Sequence, residues 1–236
     1  MHSSKVILVI DFDETLTKEH LFKNLRQAPS ERVTFTKEWI VDFIFGGKDR
    51  IEKLSVFFNA LKKMNVDIAI SSHGVLDEIK KALEYAEIPF ETFVYIHGTA
   101  GYEKFWKTSD PEMKADTQLY RNKEDFIRQK LLKEDEYGHV IFIDDDEPHG
   151  KSKYYDTLSY FKQVHTIQMH NVNKEGKDTT KEKGLNQEDM EHIFDTIQTL
   201  NKNNTVTQSL FKSKTTIITI LLIVLFSFLI FWLIQT

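Results

Sequence analysis

The sequence predicts an α/β domain, a parallel sheet flanked by helices, with one transmembrane helix at the C-terminus. Three observations lead there. Before residue 170, short apolar runs alternate with amphipathic stretches. Several of those runs are apolar throughout, not only at every second position. After Lys214 the chain carries no charge and is almost wholly apolar.

The first run, Lys5–Ile10, contains Val6-Ile7-Leu8-Val9-Ile10, which suits a central strand buried on both faces. It leads straight into acidic residues, so it reads as a strand and not as a signal peptide. Val66–Ile70, Thr92–Ile96, His139–Ile143 and Val164–Met169 supply four more strands. Between them, Arg50–Met64, Val75–Ala86 and Lys123–Lys133 carry apolar residues at helical spacing. Strand and helix in alternation point to a parallel sheet covered on both faces. Trp39, Phe43 and Phe45 are expected in the core or in a small flap.

The globular domain is expected over 1–170. A polar linker follows over 171–212, rich in Asn, Lys, Thr, Glu and Gln. Within it, Met190, Ile193, Ile197 and Leu200 recur at helical spacing, predicting an amphipathic helix from Asn186 to Leu200. The anchor is expected over 213–236. Its apolar core, Thr215 to Ile234, is about 20 residues long and spans roughly 30 Å as a helix, the thickness of a bilayer's hydrocarbon. Trp232 near its far end suits an interface. Lys202, Lys212 and Lys214 precede the span and only Gln235 and Thr236 follow it. The positive-inside tendency therefore predicts a single-pass membrane protein with its catalytic domain facing the cytosol, in the manner of a tail anchor. Asn203-Asn204-Thr205 matches a glycosylation acceptor, which would stay unmodified on that side.

Composition removes several function classes. The chain has no cysteine, which excludes disulfides, zinc–thiolate sites, iron–sulfur clusters and a cysteine nucleophile. A formal net charge of -5 provides no basic field to gather nucleic acid.

Three strand ends carry the chemistry. The first runs into Asp11-Phe12-Asp13-Glu14-Thr15. Carboxylates just past a buried strand are costly unless a cation or a proton neutralises them. The second run ends in Ser71-Ser72-His73-Gly74, small hydroxyl residues opening a helix, where backbone N–H groups and a hydroxyl can receive phosphate oxygens. The fourth ends in Asp144-Asp145-Asp146-Glu147. Lys123 stands near the start of a helix between the second and fourth.

Together these residues resemble the four motifs of the haloacid-dehalogenase-like superfamily, whose fold is Rossmann-like. The resemblance covers about residues 5 to 170 and meets the motifs in order. It implies an aspartate-nucleophile phosphatase. Asp11 would be the nucleophile that forms an aspartyl-phosphate, and Asp13 the general acid and base. Ser71 and Lys123 would bind the phosphoryl oxygens. Mg²⁺ would be held by an Asp11 carboxylate oxygen, the Asp13 backbone carbonyl, Asp145 and Asp144, close by or one step removed. An aspartate at position 13 favours phosphoryl transfer over dehalogenation, which needs no acid for the leaving group.

Several assignments stay open at this level. Ser72 can exchange roles with Ser71, and Lys104, Lys107, Lys114 and Lys130 also lie between the motifs. Asp146 and Glu147 are expected in solvent, His73 and His149 as neighbours of the site, and Phe12 and Leu16 as packing residues. The stretches 18–48 and 97–122 are too short for an independent cap, so a flap or a small lid is expected. A lightly covered site would admit a phosphoprotein or a phosphorylated lipid headgroup, and a small molecule if 97–122 folds over it. The alternatives are a phosphotransferase or mutase of the same superfamily, or a membrane adaptor that keeps the fold without catalysis.

Overall fold

The computed structural model describes residues 5–26, 35–99, 122–133, 137–145, 157–169 and 183–202. Five strands form one sheet in the order β3-β2-β1-β4-β5, and every pairing is parallel. They are β1 (Val6–Ile10), β2 (Val66–Val75), β3 (Tyr95–Thr99), β4 (His139–Asp144) and β5 (Val164–Gln168). The third starts later than its apolar run, because Phe90–Thr92 forms a 3₁₀ turn.

All five residues of β1 are buried, as the uninterrupted apolar run requires. Ile7 and Val9 join Ala69, Val140 and Phe142 in one cluster with Phe126, Ile127 and Leu131. Residues of the other parity, Leu8, Ile10, Ile68, Ile70, Ile141 and Ile143, are equally buried, so the sheet is covered on both faces. Each such side chain is worth ~1.5–3 kcal/mol of burial; the central strands therefore form a rigid floor for whatever stands at their ends.

The helices are α1 (Leu21–Leu25), α2 (Lys37–Trp39, widening into Ile40–Ile44), α3 (Lys48–Lys63), α4 (Leu76–Tyr85), α5 (Lys123–Phe126, widening into Ile127–Leu132) and α6 over 187–202. Phe45 is fully buried while Phe43 is 44% exposed, which splits the aromatic group between core and surface. The chain divides into two compact units, Met1–Ile193 and Phe194–Thr236. The site described below lies within the first.

Among the described residues no helix is long and apolar enough to cross a membrane. The expected span Thr215–Ile234 lies outside them, as do Asp146, Glu147, His149, Asn203 and most of 97–122.

The strand order fixes where a ligand can sit. From β1 the chain moves outward through β2 and β3, then returns to the other side of β1 with β4. A crevice opens beyond the carboxyl ends of β1 and β4, where the direction of winding reverses. Asp11 follows β1 and Asp144 ends β4.

Candidate active site

Asp11 is the first residue past β1, and its N–H donates to the Ile143 carbonyl of β4 at 3.0 Å. That bond holds Asp11 beside Asp144. The chain then makes a wide turn over Phe12–Leu16, closed by Leu16 N–H to the Asp11 carbonyl at 3.1 Å and Thr17 N–H to the Phe12 carbonyl at 2.9 Å. Within the turn Glu14 adopts a left-handed backbone with φ 56° and ψ 2°, uncommon for a residue with a side chain. Its N–H donates to the Thr17 hydroxyl at 3.2 Å, which helps hold that conformation.

Three carboxylates converge here. Asp11, Asp144 and Asp145 each present an oxygen within 4.8 Å of the others. Asp11 and Asp144 are 3% and 1% exposed. Lys123 reaches into the cluster, its Nζ 2.8 Å from Asp11 Oδ1 and 2.6 Å from Asp144 Oδ2. The contact with Asp144 is a hydrogen bond. Asp11 Oδ1 takes no hydrogen bond of regular direction, so its contact with Lys123 is an ion pair by distance. Lys123 is placed by its helix: the Asn122 side chain accepts the Asp125 N–H at 2.8 Å, which caps α5 and fixes where it begins.

Electrostatics show what the cluster lacks. Burial pushes the Asp11 carboxyl well above the usual carboxylate range, Lys123 pulls it down, and Asp144 and Asp145 push it up again. For Lys123, burial opposes the charge, but Asp11 and Asp144 more than offset it and the net shift is upward. The ammonium is held charged. Three carboxylates against one ammonium leave a surplus of negative charge in a desolvated crevice. An all-oxygen donor set with surplus charge fits a hard divalent cation such as Mg²⁺.

Asp13 stands apart from that cluster. Its Oδ1 accepts the Leu21 N–H at 2.7 Å and lies 3.3 Å from His20 Nδ1. Its carboxyl nevertheless lines the same cavity of about 230 Å³ as Asp11, Lys123 and Asp145.

Of the two serines, Ser72 lines this cavity. Ser71 is fully buried and pairs with His97 Nδ1 at 3.1 Å, and His97 stacks on Phe126 with ring centroids 5.0 Å apart. Ser71 is paired with His97 in regular register, and the register of β2 shifts only between Ser71 and Val75. Ser72 Oγ accepts the Gly74 N–H at 3.0 Å. Ser71, expected to bind phosphate, thus lies beside His97, while Ser72 lines the cavity.

His20 carried no signal in the sequence, and Thr15 none beyond its place in the Asp11–Thr15 motif. Thr15 donates from its hydroxyl to Asp145 Oδ1 at 3.3 Å, joining the β1 turn to the end of β4. His20 lines the cavity next to Asp13. His73, singled out as a neighbour, does line it.

A parallel α/β domain with a carboxylate-and-lysine crevice at its switch point is the class that fold and site define. No family model matches the chain, and no curated protein does. Among solved structures it is similar to the HAD domain of the effector protein Lem4 from Legionella pneumophila, at 19% identity and a TM-score of 0.41, covering 70% of this chain and 88% of that one. It is similar to a phosphoserine phosphohydrolase-like protein from Francisella tularensis, at 21% identity and a TM-score of 0.36, covering 70% and 86%. A haloacid dehalogenase-like family hydrolase from Streptococcus pneumoniae is similar at 14% identity and 0.35, covering 70% and 95%. With similarities this low, the functional reading rests on this chain's own residues.

Proposed function

We propose that the chain is a Mg²⁺-dependent phosphomonoester hydrolase of the haloacid-dehalogenase-like type, working through an aspartyl-phosphate on Asp11. One observation carries the reading: Lys123 Nζ contacts both Asp11 and Asp144 where Asp11, Asp144 and Asp145 converge, beside a cavity that Asp13 also lines.

The chemistry follows from that placement. An Asp11 oxygen attacks phosphorus, the ester P–O bond breaks, and Asp13 gives its proton to the departing oxygen. Asp13 then takes a proton from water, the water oxygen attacks phosphorus, and the bond to Asp11 breaks to release phosphate. Lys123 and Ser72, with the backbone N–H groups near Gly74, orient the phosphoryl oxygens. Asp11, Asp144, Asp145 and the Asp13 carbonyl are the groups that would hold Mg²⁺. The ion supplies the positive charge without which an anionic nucleophile and an anionic phosphoryl group repel each other.

The substrate in this reading is a phosphoprotein or a phosphorylated lipid headgroup near a membrane. Thr215–Ile234 tethers the chain there with the catalytic domain on the cytosolic side, and the tether raises the local concentration of membrane-bound substrates.

The test is phosphate release from p-nitrophenyl phosphate by the full chain with Mg²⁺, beside Asp11→Asn. Activity in the parent and its loss in Asp11→Asn is the expected result. Equal release by both would overturn the reading. The membrane part is tested apart, by alkaline extraction of cell membranes: a chain found wholly in the soluble fraction would overturn it.

A further inference from the structure

The segment Lys183-Gly184-Leu185 meets the Asp11–Thr17 turn. Leu185 donates its N–H to the Thr15 carbonyl at 2.8 Å. Lys183 Nζ bridges Glu14 Oε1 at 2.8 Å and Glu19 Oε2 at 3.4 Å. Arg50 closes the group from α3: its Nη1 donates to the Leu16 carbonyl at 2.9 Å and the Phe45 carbonyl at 3.0 Å, and its Nη2 to the Leu185 carbonyl at 3.5 Å.

Gly184 makes the approach possible. Its φ is +78°, and a Cβ there would come within 2.6 Å of the Thr17 carbonyl oxygen and closer still to the Arg50 guanidinium. No residue with a side chain fits without displacing the turn or Arg50. The segment is itself anchored downstream. Asn186 N–H donates to Asp189 Oδ2 at 3.1 Å and Asp189 N–H to Asn186 Oδ1 at 3.0 Å, a reciprocal cap where α6 begins.

We propose that Lys183-Gly184-Leu185 is a clasp that positions the Asp11–Thr17 turn, and through it the cation-binding carboxylates. The path is short. Leu185 holds the Thr15 carbonyl, and the Thr15 hydroxyl holds Asp145 Oδ1. Lys183 holds Glu14, the left-handed residue of the turn. These are positioning residues: none is part of the carboxylate cluster. The clasp rests on the phosphatase reading for its effect on turnover, but not for its effect on ion binding.

The experiment compares the full chain with Gly184→Ala, Lys183→Ala and Lys183→Arg. It reads kcat, KM, the Mg²⁺ concentration for half-maximal activity and, separately, the rise in Tm on adding Mg²⁺. Groups that orient a metal ligand are worth about 10- to 100-fold in ion affinity or activity. Gly184→Ala is expected to raise the Mg²⁺ requirement by that order and lower kcat, with KM held. Lys183→Ala, which loses a surface ion pair, is expected to move the same readings by about two- to fivefold, and Lys183→Arg to restore them. If Gly184→Ala does not fold, the two Lys183 variants decide. Variants that match the parent in both the Mg²⁺ requirement and the Tm rise would overturn the clasp. A parent that shows the Tm rise but no turnover would sink the phosphatase reading alone, and the Tm rise in the variants would still decide the clasp.

Discussion

Lys123 Nζ hydrogen-bonds Asp144 Oδ2 at 2.6 Å, across 21 positions of chain and almost out of solvent's reach. The bond ties the first residue of α5 to the last residue of β4. Removing one member of a buried pair leaves the other charge without compensation, which costs about 3–5 kcal/mol. Lys123→Ala is therefore expected to lower stability by that order in a denaturant titration and to abolish phosphate release. Lys123→Arg is expected to recover little of the activity, because a planar guanidinium does not fill the place of a compact ammonium.

Asp145→Asn is expected to act in opposite directions with and without the ion. Without Mg²⁺ it removes one of the charges that push Asp11 upward, so Tm should rise. With Mg²⁺ the parent gains stability by mass action, about 2.7 kcal/mol when the ion is at 100 times its Kd, and the variant should lose most of that gain. Thermal unfolding with and without Mg²⁺ reads both. A variant that keeps the full ion-dependent gain would remove Asp145 from the ligand set.

The two serines after the apolar part of β2 should separate cleanly. Ser72 faces the cavity, so Ser72→Ala is expected to raise KM for a phosphomonoester with a small change in stability. Ser71 is buried against His97. Ser71→Ala removes the serine contact of that ring and is expected to cost about 0.5–1.5 kcal/mol while KM holds. Michaelis constants and denaturant midpoints of both variants check the assignment, and the reverse pattern would refute it.

A pH dependence is expected far from the site, at the start of β4 and β5. His139 Nδ1 and His165 Nε2 lie 3.2 Å apart. Burial, then the neighbouring His139, holds the His165 imidazole below its ordinary value of 6.5. A histidine whose pKa is lowered on folding contributes stability above its unfolded pKa, and loses it as pH falls through the folded value. The denaturant midpoint should thus drop as pH falls below about 6.5, and His165→Gln should flatten the drop. A parent with no drop in that range would refute the pairing.

Much of the sheet was legible because each strand's signal is local. Val6–Ile10 is apolar at every position, and a strand covered on both faces needs nothing else to announce it. The carboxylates at Asp11 and Asp144-Asp145 were legible for a related reason: charge beside such runs has to serve something. Ser71 and Ser72 could not be told apart in the sequence, because which of two adjacent serines lines a cavity depends on packing across the fold. His20 and the Lys183–Leu185 segment were invisible, and Thr15 showed only as part of the first motif, because their contacts arise across the fold. Leu185 and Thr15 meet only after the whole sheet lies between them in the chain.

The parallel order of the sheet also sets when the carboxylate cluster can form. Asp144 and Asp145 are made more than a hundred residues after Asp11, and Gly184 later still. A growing polypeptide therefore carries Asp11 long before the two carboxylates that share its crevice exist. The cluster forms only once the late strand has slotted in beside the first.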